Sequence, residues 1–201
     1  MRSRTILCIT LMVLVLAGGL TAAPRELLLN VQSAPLAWGD TRLEEKVVRE
    51  LGRNPDLRVR TAGLENGSGP HFPANRTDVD SLLNWGLEMG GRYLLTVTVD
   101  EYALERRKGF SLPLVFHKWE TVGVIRGEYR MLDLHKGRMT AAEPFEVEMS
   151  GSRQFQFSTD DNRADPSLHI TAPEKRKFFG KLEEKLVKHL VEKVNRLTRG
   201  R

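Results

Sequence analysis

The amino-acid sequence predicts an α/β fold, a single mixed β-sheet packed by helices, with elements in the order β-α-β-α-β-β-β-α. In the first half of the chain, two stretches with apolar residues at helical spacing alternate with short apolar strands. Longer stretches follow with apolar residues at every second position, and a third, long helical pattern closes the chain. The two early helices predict parallel pairing of the first strands, and the later hairpins predict antiparallel pairing.

A secretory signal peptide is predicted over residues 1–23. Arg2 and Arg4 precede a short apolar run, and small residues end it. We expect this segment to be removed on export, which leaves 24–201 as a single α/β domain with one core. An uncleaved membrane anchor stays open as the alternative, because Ile6 to Ala23 is 18 residues without a charge, the lower limit for crossing a bilayer.

The first strand is predicted over Leu27 to Val31, and the first helix opens at Asp40 or Thr41. Thr41-x-x-Glu44 has the spacing of a capping box. Gly52 and the Asn-Pro pair after it end the helix. One face of this helix is apolar and carries Leu43, Val47, Val48 and Leu51.

A second strand over Leu57 to Arg60 and a second helix follow. Residues 63–76 are rich in Gly, Pro and Asn and predict a loop between them. The helix starts near Thr77 or Asp78 and ends at the Gly90-Gly91 pair. Its predicted buried face carries Val79, Leu82, Leu83 and Leu87.

Three strands with period-two alternation come next. The first runs from Tyr93 to Val99, and the second from Thr121 to Leu134 with Arg126, Glu128 and Arg130 on its wet face. The turn at 135–138 places Gly137 where a positive φ is needed. The returning strand carries Pro144, which favours a sheet edge or a bulge, and its apolar positions are Phe145, Val147 and Met149, with Phe155 and Phe157 further on.

The last part of the chain is a polar loop over 158–173 and an amphipathic helix over 174–199, after the sheet and crossover helices of 27–157. From Glu174 to Arg201 there are ten Lys and Arg against four Glu, a segment charge of +6. A charged outer face is ordinary for a packed helix, and docking on an acidic partner, anionic lipid or cell-wall polymer is the alternative. The apolar stripe consists of Phe178, Phe179, Leu182, Leu186, Val187, Leu190, Val191, Val194 and Leu197.

Composition points to the envelope of a bacterium. Cys8 lies inside the predicted signal peptide and is the one Cys of the chain, so the mature protein has no disulfide and no thiol chemistry. An exported domain without Cys favours the periplasm over a eukaryotic secretory route. Leu16-Ala17-Gly18 resembles the run before a lipid-bearing Cys, but position 19 is Gly. Without Arg2 and Arg4 the net charge is +3, which is not the footprint of a nucleic-acid binder.

No motif of an enzyme or cofactor site is present. The chain lacks G-x-G-x-x-G, a Walker loop, G-x-S-x-G and H-E-x-x-H. Its five His residues do not fall at ligand spacing, and the acids Glu146 and Glu148 lie on the wet face of a strand. One loop cluster could hold a cation or the site of a metal-dependent hydrolase, and it consists of Asp160, Asp161, Asp165 and His169. We expect no enzyme activity, no cofactor and no metal.

The connection from Glu105 to Glu120 is the candidate contact surface. It joins a basic cluster to apolar and aromatic residues, the mixture that suits a partner surface or a lipid headgroup layer. The alternative is that these side chains fold back over the helices as core, because Gly109 and Pro113 can turn the chain inward. Phe110, Phe116 and Trp119 are the expected anchors. The full set of candidate partner-binding residues is Arg106, Arg107, Lys108, Phe110, Leu112, Leu114, Phe116 and Trp119.

Two short sequences carry a resemblance to known proteins. Gly90-Gly-Arg-Tyr-Leu-Leu-Thr-Val-Thr-Val99 resembles a helix-Gly-apolar-strand motif, and Gly127 to Leu134 followed by Lys-Gly-Arg138 resembles a strand, Asp and Gly turn. Both motifs are similar to those of bacterial envelope proteins such as the curli secretion-channel lipoprotein, the lipoprotein activator of bifunctional penicillin-binding proteins and the N-terminal domain of the Tol translocation protein. The resemblance implies binding or assembly rather than catalysis. This chain departs from it in lacking the lipid-bearing Cys and in offering one apolar hairpin segment instead of two.

The sequence therefore predicts an exported, non-enzymatic binding or assembly module that acts on an envelope protein or on itself, with membrane-surface contact as a further option and no nucleic acid. The alternative function is an oligomeric pore or secretion subunit that inserts the apolar hairpin into the membrane.

Overall fold

The computed structural model describes part of the chain: residues 23–36, 41–62, 71–75, 77–112, 116–156 and 170–199. Within these ranges, 108–112, 116–120 and 152–156 are described by their backbone. The predicted signal peptide up to residue 22 and the predicted acidic loop cluster at 160–169 lie outside the described residues.

Five strands and three helices follow one another in the predicted order. The sheet order is β2-β1-β3-β4-β5. β1 pairs in parallel with β2 and β3, and β3, β4 and β5 pair antiparallel. The predicted single mixed sheet is thereby confirmed. The elements are β1 (Arg25–Ser33), α1 (Leu43–Leu51), β2 (Leu57–Thr61), α2 (Val79–Glu88), β3 (Tyr93–Leu112), β4 (Phe116–Asp133), β5 (Arg138–Gln156) and α3 (Ala172–Arg199).

The two early helices begin differently. α2 begins directly after Asp78, where its start was predicted, and the Asp78 carboxylate caps it by accepting hydrogen bonds from the backbone N–H groups of Asp80 and Ser81. The capping box predicted for α1 was wrong. Arg42 precedes the helix without a side-chain cap, and the Thr41 hydroxyl accepts from the Leu43 N–H while it donates to Glu183 of α3. A tertiary contact has taken the place of the local one.

The main core lies on the face of the sheet that α1 and α3 cover. Apolar residues at alternate positions of β1, β3, β4 and β5 pack there against one stripe of α3, as the two periodicities require. Its largest fully buried side chains include Tyr129, Phe179, Leu27, Leu29, Leu43, Leu51, Leu95, Ile125 and Met131.

A smaller core lies under α2 on the opposite face. Leu82 and Trp85 of α2 contact strand residues there, namely Leu28, Leu94, Leu132 and Leu134. Leu87, which the spacing placed on the buried face of α2, is 53% exposed. That expectation was wrong, because α2 ends one residue later, at Glu88, and Leu87 lies in its last turn, at the end of the sheet.

Pro144 lies on an edge strand, as predicted, and its backbone position explains why it is tolerated. The Glu148 carbonyl of β5 accepts a hydrogen bond from Lys185 of α3 (2.8 Å), so it points away from β4. Strand backbone groups alternate in direction, so Pro144, four residues earlier, has its missing N–H on the same outer edge. The ladder with β4 therefore loses no donor.

A buried polar cluster ties α3 to the start of α1 and to β3. Glu183 is 4% exposed and accepts from Lys46 (2.8 Å), from Thr41 (2.7 Å) and from the Tyr102 hydroxyl (3.3 Å). Lys46 also donates to the Gly180 carbonyl (2.8 Å). Burial raises the pKa of Tyr102 well above its ordinary value. Each polar group of the cluster has a partner, which a buried charge requires.

Close packing of α3 on the sheet depends on Gly123. A Cβ at Gly123 would lie 2.1 Å from Cε1 of Phe178, whereas a Cβ at Gly180 would meet nothing nearer than Lys46 Nζ at 3.8 Å. We expect Gly123→Ala to lower the free energy of unfolding by about 1–3 kcal/mol through overpacking. Gly180→Ala, within a helix, is expected to raise it by about 0.5–1 kcal/mol. Urea unfolding followed by circular dichroism measures both, and equal effects of the two substitutions would contradict this packing.

Adjacent glutamates of α3 test the buried cluster. Glu183→Ala removes one partner of a buried ion pair and is expected to cost about 3 kcal/mol of unfolding free energy. The matched control is Glu184→Ala, because Glu184 is exposed and surface substitutions usually change stability by less than about 0.5 kcal/mol. A Glu183→Ala variant as stable as the control would show that the cluster contributes nothing.

Candidate partner-binding surface

The candidate surface lies at the end of a long hairpin. β1 pairs with β3 as far as the Ser33–Val99 pair. β3 then continues to Leu112, paired with β4. About 13 residues of β3 extend beyond β1, roughly 43 Å at strand rise. β5 runs beside β4 as far as the His117–Gln156 pair, so the extension is a three-stranded ribbon for most of its length.

The backbone places the predicted contact segment at the tip of this hairpin. Lys108 pairs with Trp119, and Leu112 pairs with Phe116, across the strand ends. Leu114 lies outside the described residues, as do the side chains of Lys108, Phe110, Leu112, Phe116 and Trp119. Whether these side chains are exposed or fold back stays a prediction. The strands are longer than expected here, since the interval from Glu105 to Glu120 was predicted as a connection.

Arg106 and Arg107 lie at the base of the tip and on opposite faces of β3, as neighbours in a strand must. Arg106 donates to the Thr121 hydroxyl of β4 (2.6 Å). Arg107 forms a two-pronged ion pair with Glu148 of β5 (3.0 and 2.5 Å) and also reaches Glu105 (2.9 Å). The predicted basic cluster is thus engaged within the sheet at these two positions.

Arg126 organises the same face one step further down the ribbon. Its guanidinium contacts Glu101 (2.9 Å), Glu105 (2.5 Å) and Glu146 (3.4 Å). Hydrogen bonds from Arg126 and Arg107 lower the pKa of Glu105, and the bond from Arg107 lowers that of Glu148. The network links all three strands and holds them in register at the base of the tip.

Sequence reasoning placed Arg126 and the two glutamates of β5 on a wet face but missed the network. The sequence pattern that indicates such a network is the alternation of charged residues on neighbouring strands. The charged residues are Glu101, Glu105 and Arg107 of β3, Arg126 and Glu128 of β4, and Glu146 and Glu148 of β5. Only the strand register shows which of these charges meet, and the β-bulge between Val99 and Glu101 shifts that register by one residue.

Aromatic side chains of α3 support the opposite face of the ribbon. Phe178 lies against Gly123 and Gly151, and Phe179 meets Tyr102 edge-to-face with ring centroids 5.6 Å apart. The ribbon is therefore packed on one face and crossed by ion pairs on the other. Such support makes its base a rigid stem for the tip.

Neither a metal centre nor a membrane-spanning helix emerges from the part of the chain that the structure describes. There, no three His, Cys, Asp or Glu side chains come together in a way that could hold a metal ion. Among the same residues, no helix is long and apolar enough to cross a bilayer.

Comparison with known proteins gives similarity of fold. No family model and no curated protein matches the chain. The hypothetical protein CT253 from Chlamydia trachomatis matches with a TM-score of 0.53 and 11% identity, over 89% of this chain and 100% of that one. This likeness shows that the two proteins share a fold.

Two further solved structures match with lower scores. TolB from Acinetobacter baumannii has a TM-score of 0.45 and 12% identity over 89% of this chain, which spans 29% of TolB. The lipoprotein GNA1162 from Neisseria meningitidis has a TM-score of 0.40 and 14% identity, with 86% and 99% of the two chains covered. The specific protein families named from the sequence stay predictions.

The ion pairs of the ribbon predict acid sensitivity. Glu105 and Glu148 of the ribbon have pKa values lowered by hydrogen bonds from arginines, and the pKa of Glu143, outside the ribbon, is lowered by Lys193 of α3. A carboxyl group whose pKa is lower in the folded state stabilises the fold when the pH is above the pKa of the same group in the unfolded chain. This contribution is lost as the pH falls through the pKa of the folded state. We expect the free energy of unfolding to decrease as the pH falls below 4.5, the ordinary pKa of Glu.

Arg107→Gln is expected to flatten this pH dependence, because it removes the partner of Glu148. Arg49→Gln is the matched control, since Arg49 is well exposed and its nearest contact with Glu50 is 3.7 Å. Urea unfolding between pH 7 and pH 3 measures the slopes. The same slope in the wild type and Arg107→Gln would contradict the assignment.

Proposed function

We propose that this chain is an exported, non-enzymatic protein of a bacterial envelope that binds a partner protein through the tip of the β3–β4 hairpin. The tip is the segment from Arg106 to Trp119. The observation that carries the proposal is the ribbon that extends roughly 43 Å beyond β1 and ends in this segment.

The composition of the tip supports a protein partner. Its segment holds Phe110, Phe116 and Trp119 within a short interval, and aromatic anchors are typical of the centres of protein interfaces. Arg106 and Arg107 are bound within the sheet, so the aromatic residues of the tip are the expected contacts with the partner. The predicted role of Arg106 and Arg107 becomes the positioning of the tip.

The proposed envelope location rests on the sequence. Residues 1–23 have the pattern of a secretory signal peptide. Bacterial proteins are among the solved structures with a similar fold.

Replacing Phe110, Phe116 and Trp119 together by Ser tests the proposal. Buried aromatic anchors each contribute more than about 1 kcal/mol to an interface, so three replacements are expected to weaken capture of an envelope partner by at least about 100-fold. Capture is measured by affinity purification from envelope extracts with quantitative mass spectrometry. The matched control replaces Lys177, Lys181 and Lys188 on the exposed face of α3 by Ser.

Unchanged capture by the triple Ser variant, with a wild-type melting temperature, would refute the proposal. A general loss of capture in both the variant and the α3 control would indicate electrostatic association instead of tip binding.

A pore or secretion subunit is the second candidate function. The long β3–β4 pairing, which continues to the Leu112–Phe116 pair, is the observation that favours it, since paired strands satisfy their backbone groups within a bilayer. Rings that form in detergent, measured by size and mass, would support this candidate, and a monodisperse monomer would count against it.

A further inference from the structure

The end of the molecule opposite the tip collects chain termini and turns. β1, β2 and β3 begin there, β4 turns into β5, and α3 ends there, with Arg25 donating to the Thr198 carbonyl (2.5 Å). We call this end the basal surface and define it by its exposed side chains, which are Leu87, Arg92, His135, Lys136, Arg138 and Met139.

The chain arrives at the basal surface directly from the apolar N-terminal run. Arg25 is the first residue of β1, and its N–H is bonded to the Asp56 carbonyl (2.9 Å). The 18 uncharged residues from Ile6 end at Ala23. Two residue steps span at most about 7 Å, so an N-terminal run that is retained as an uncleaved anchor ends beside the basal surface without a linker.

The basal surface also carries the exposed apolar side chains. Leu87 is 53% exposed and Met139 is 41% exposed, and they are the two large exposed hydrophobic residues of the described chain. Leu87 lies in the last turn of α2, and Met139 lies near the start of β5, opposite Leu132. Their occurrence at one end, and not scattered over the surface, marks a contact site.

Exposed cations lie at the same end of the molecule. Arg92 is exposed and contacts the ring of Tyr93 (5.6 Å), and Arg138, which precedes Met139 in β5 and points to the other face of that strand, is exposed. A shallow depression of about 280 Å³ is lined by Pro24, Leu87, Arg92 and His135, among others.

Two acidic side chains near the basal surface form ion pairs with cationic side chains. Glu26 in the depression is paired with Arg60 (3.0 Å) and Arg58 (3.6 Å), and Asp133 with Lys136 (3.6 Å). Glu88 is the exposed acid beside Leu87. Arg92 and Arg138 have no carboxylate partner within the described residues.

We propose that the basal surface docks on an anionic phospholipid bilayer, with Leu87 and Met139 in the headgroup region and Arg92 and Arg138 at the lipid phosphates. A surface that presents apolar side chains and cations at one end of the molecule suits this layer. β3 starts at the basal surface and rises about 65 Å to the tip at strand rise, so docking holds the tip away from the membrane. The inference uses a different surface from the proposed function, and either can fail alone.

The test places an environment-sensitive fluorophore at the basal surface of the full chain. In a Cys8→Ala background, single Leu87→Cys and Met139→Cys variants are labelled with NBD and mixed with vesicles. One set contains phosphatidylcholine, and the other contains phosphatidylcholine with one third phosphatidylglycerol. Lys188→Cys on the outer face of α3 and Ser111→Cys in the tip are the matched control positions.

We expect the probes at 87 and 139 to shift to shorter emission wavelength, and to be quenched by spin-labelled lipid, with the phosphatidylglycerol vesicles. The control probes are expected to keep their aqueous emission. Adding Arg92→Gln and Arg138→Gln is expected to weaken docking about 30-fold, because each cation near an anionic surface contributes about a fivefold factor.

Aqueous emission at 87 and 139 in phosphatidylglycerol vesicles would overturn the inference, even where the N-terminal run holds the chain on the vesicles. So would an equal shift at Lys188, which would indicate adsorption without orientation. A shift confined to Ser111 would overturn it in favour of tip insertion.

Discussion

The pairing of β3 with β4 connects the two ends of this molecule. It runs from the Tyr93–Asp133 pair at the basal surface to the Leu112–Phe116 pair at the tip. Over its first half the ladder lies between β1 and β5 and carries both cores. Beyond Val99 the same ladder leaves β1 behind and becomes the ribbon. A hairpin of this length is marginal in water by itself, so its distal half depends on β5 and on α3.

Helix α3 gives that support in two chemically different ways. Phe178 fits over Gly123, where any side chain would collide with its ring, and over Gly151, where a Cβ would lie 3.1 Å from the ring. One turn further on, Glu183 binds Lys46, Thr41 and Tyr102 and so joins α3 to α1 and β3. The apolar contact stabilises the ribbon by close packing. The polar contact fixes the position of α3 relative to α1 and β3, because any other position would leave Glu183 as a buried charge without a partner.

Sequence patterns predicted the element order, the antiparallel meander and the start of α2 near Asp78, because each depends on residues close together in the chain. These patterns failed where the contacts of a residue depend on residues distant in the chain. Thr41 donates a hydrogen bond to Glu183 and does not form the predicted capping box. Leu87 is exposed because it lies in the last turn of α2, at the end of the sheet. The tip segment was recognised by composition, whereas the length of its strands and the engagement of Arg107 by Glu148 depend on register between strands. Alternation alone does not encode that register.

The two ends of the ladder are assigned different environments, a protein at the tip and a lipid surface at the base. A photoreactive residue placed in living cells at position 119, and in a second strain at position 87, tests both by the chemistry of the adducts that mass spectrometry identifies. Our account predicts a protein adduct from position 119 and a phospholipid adduct from position 87. A phospholipid adduct from position 119, with none from position 87, would contradict it.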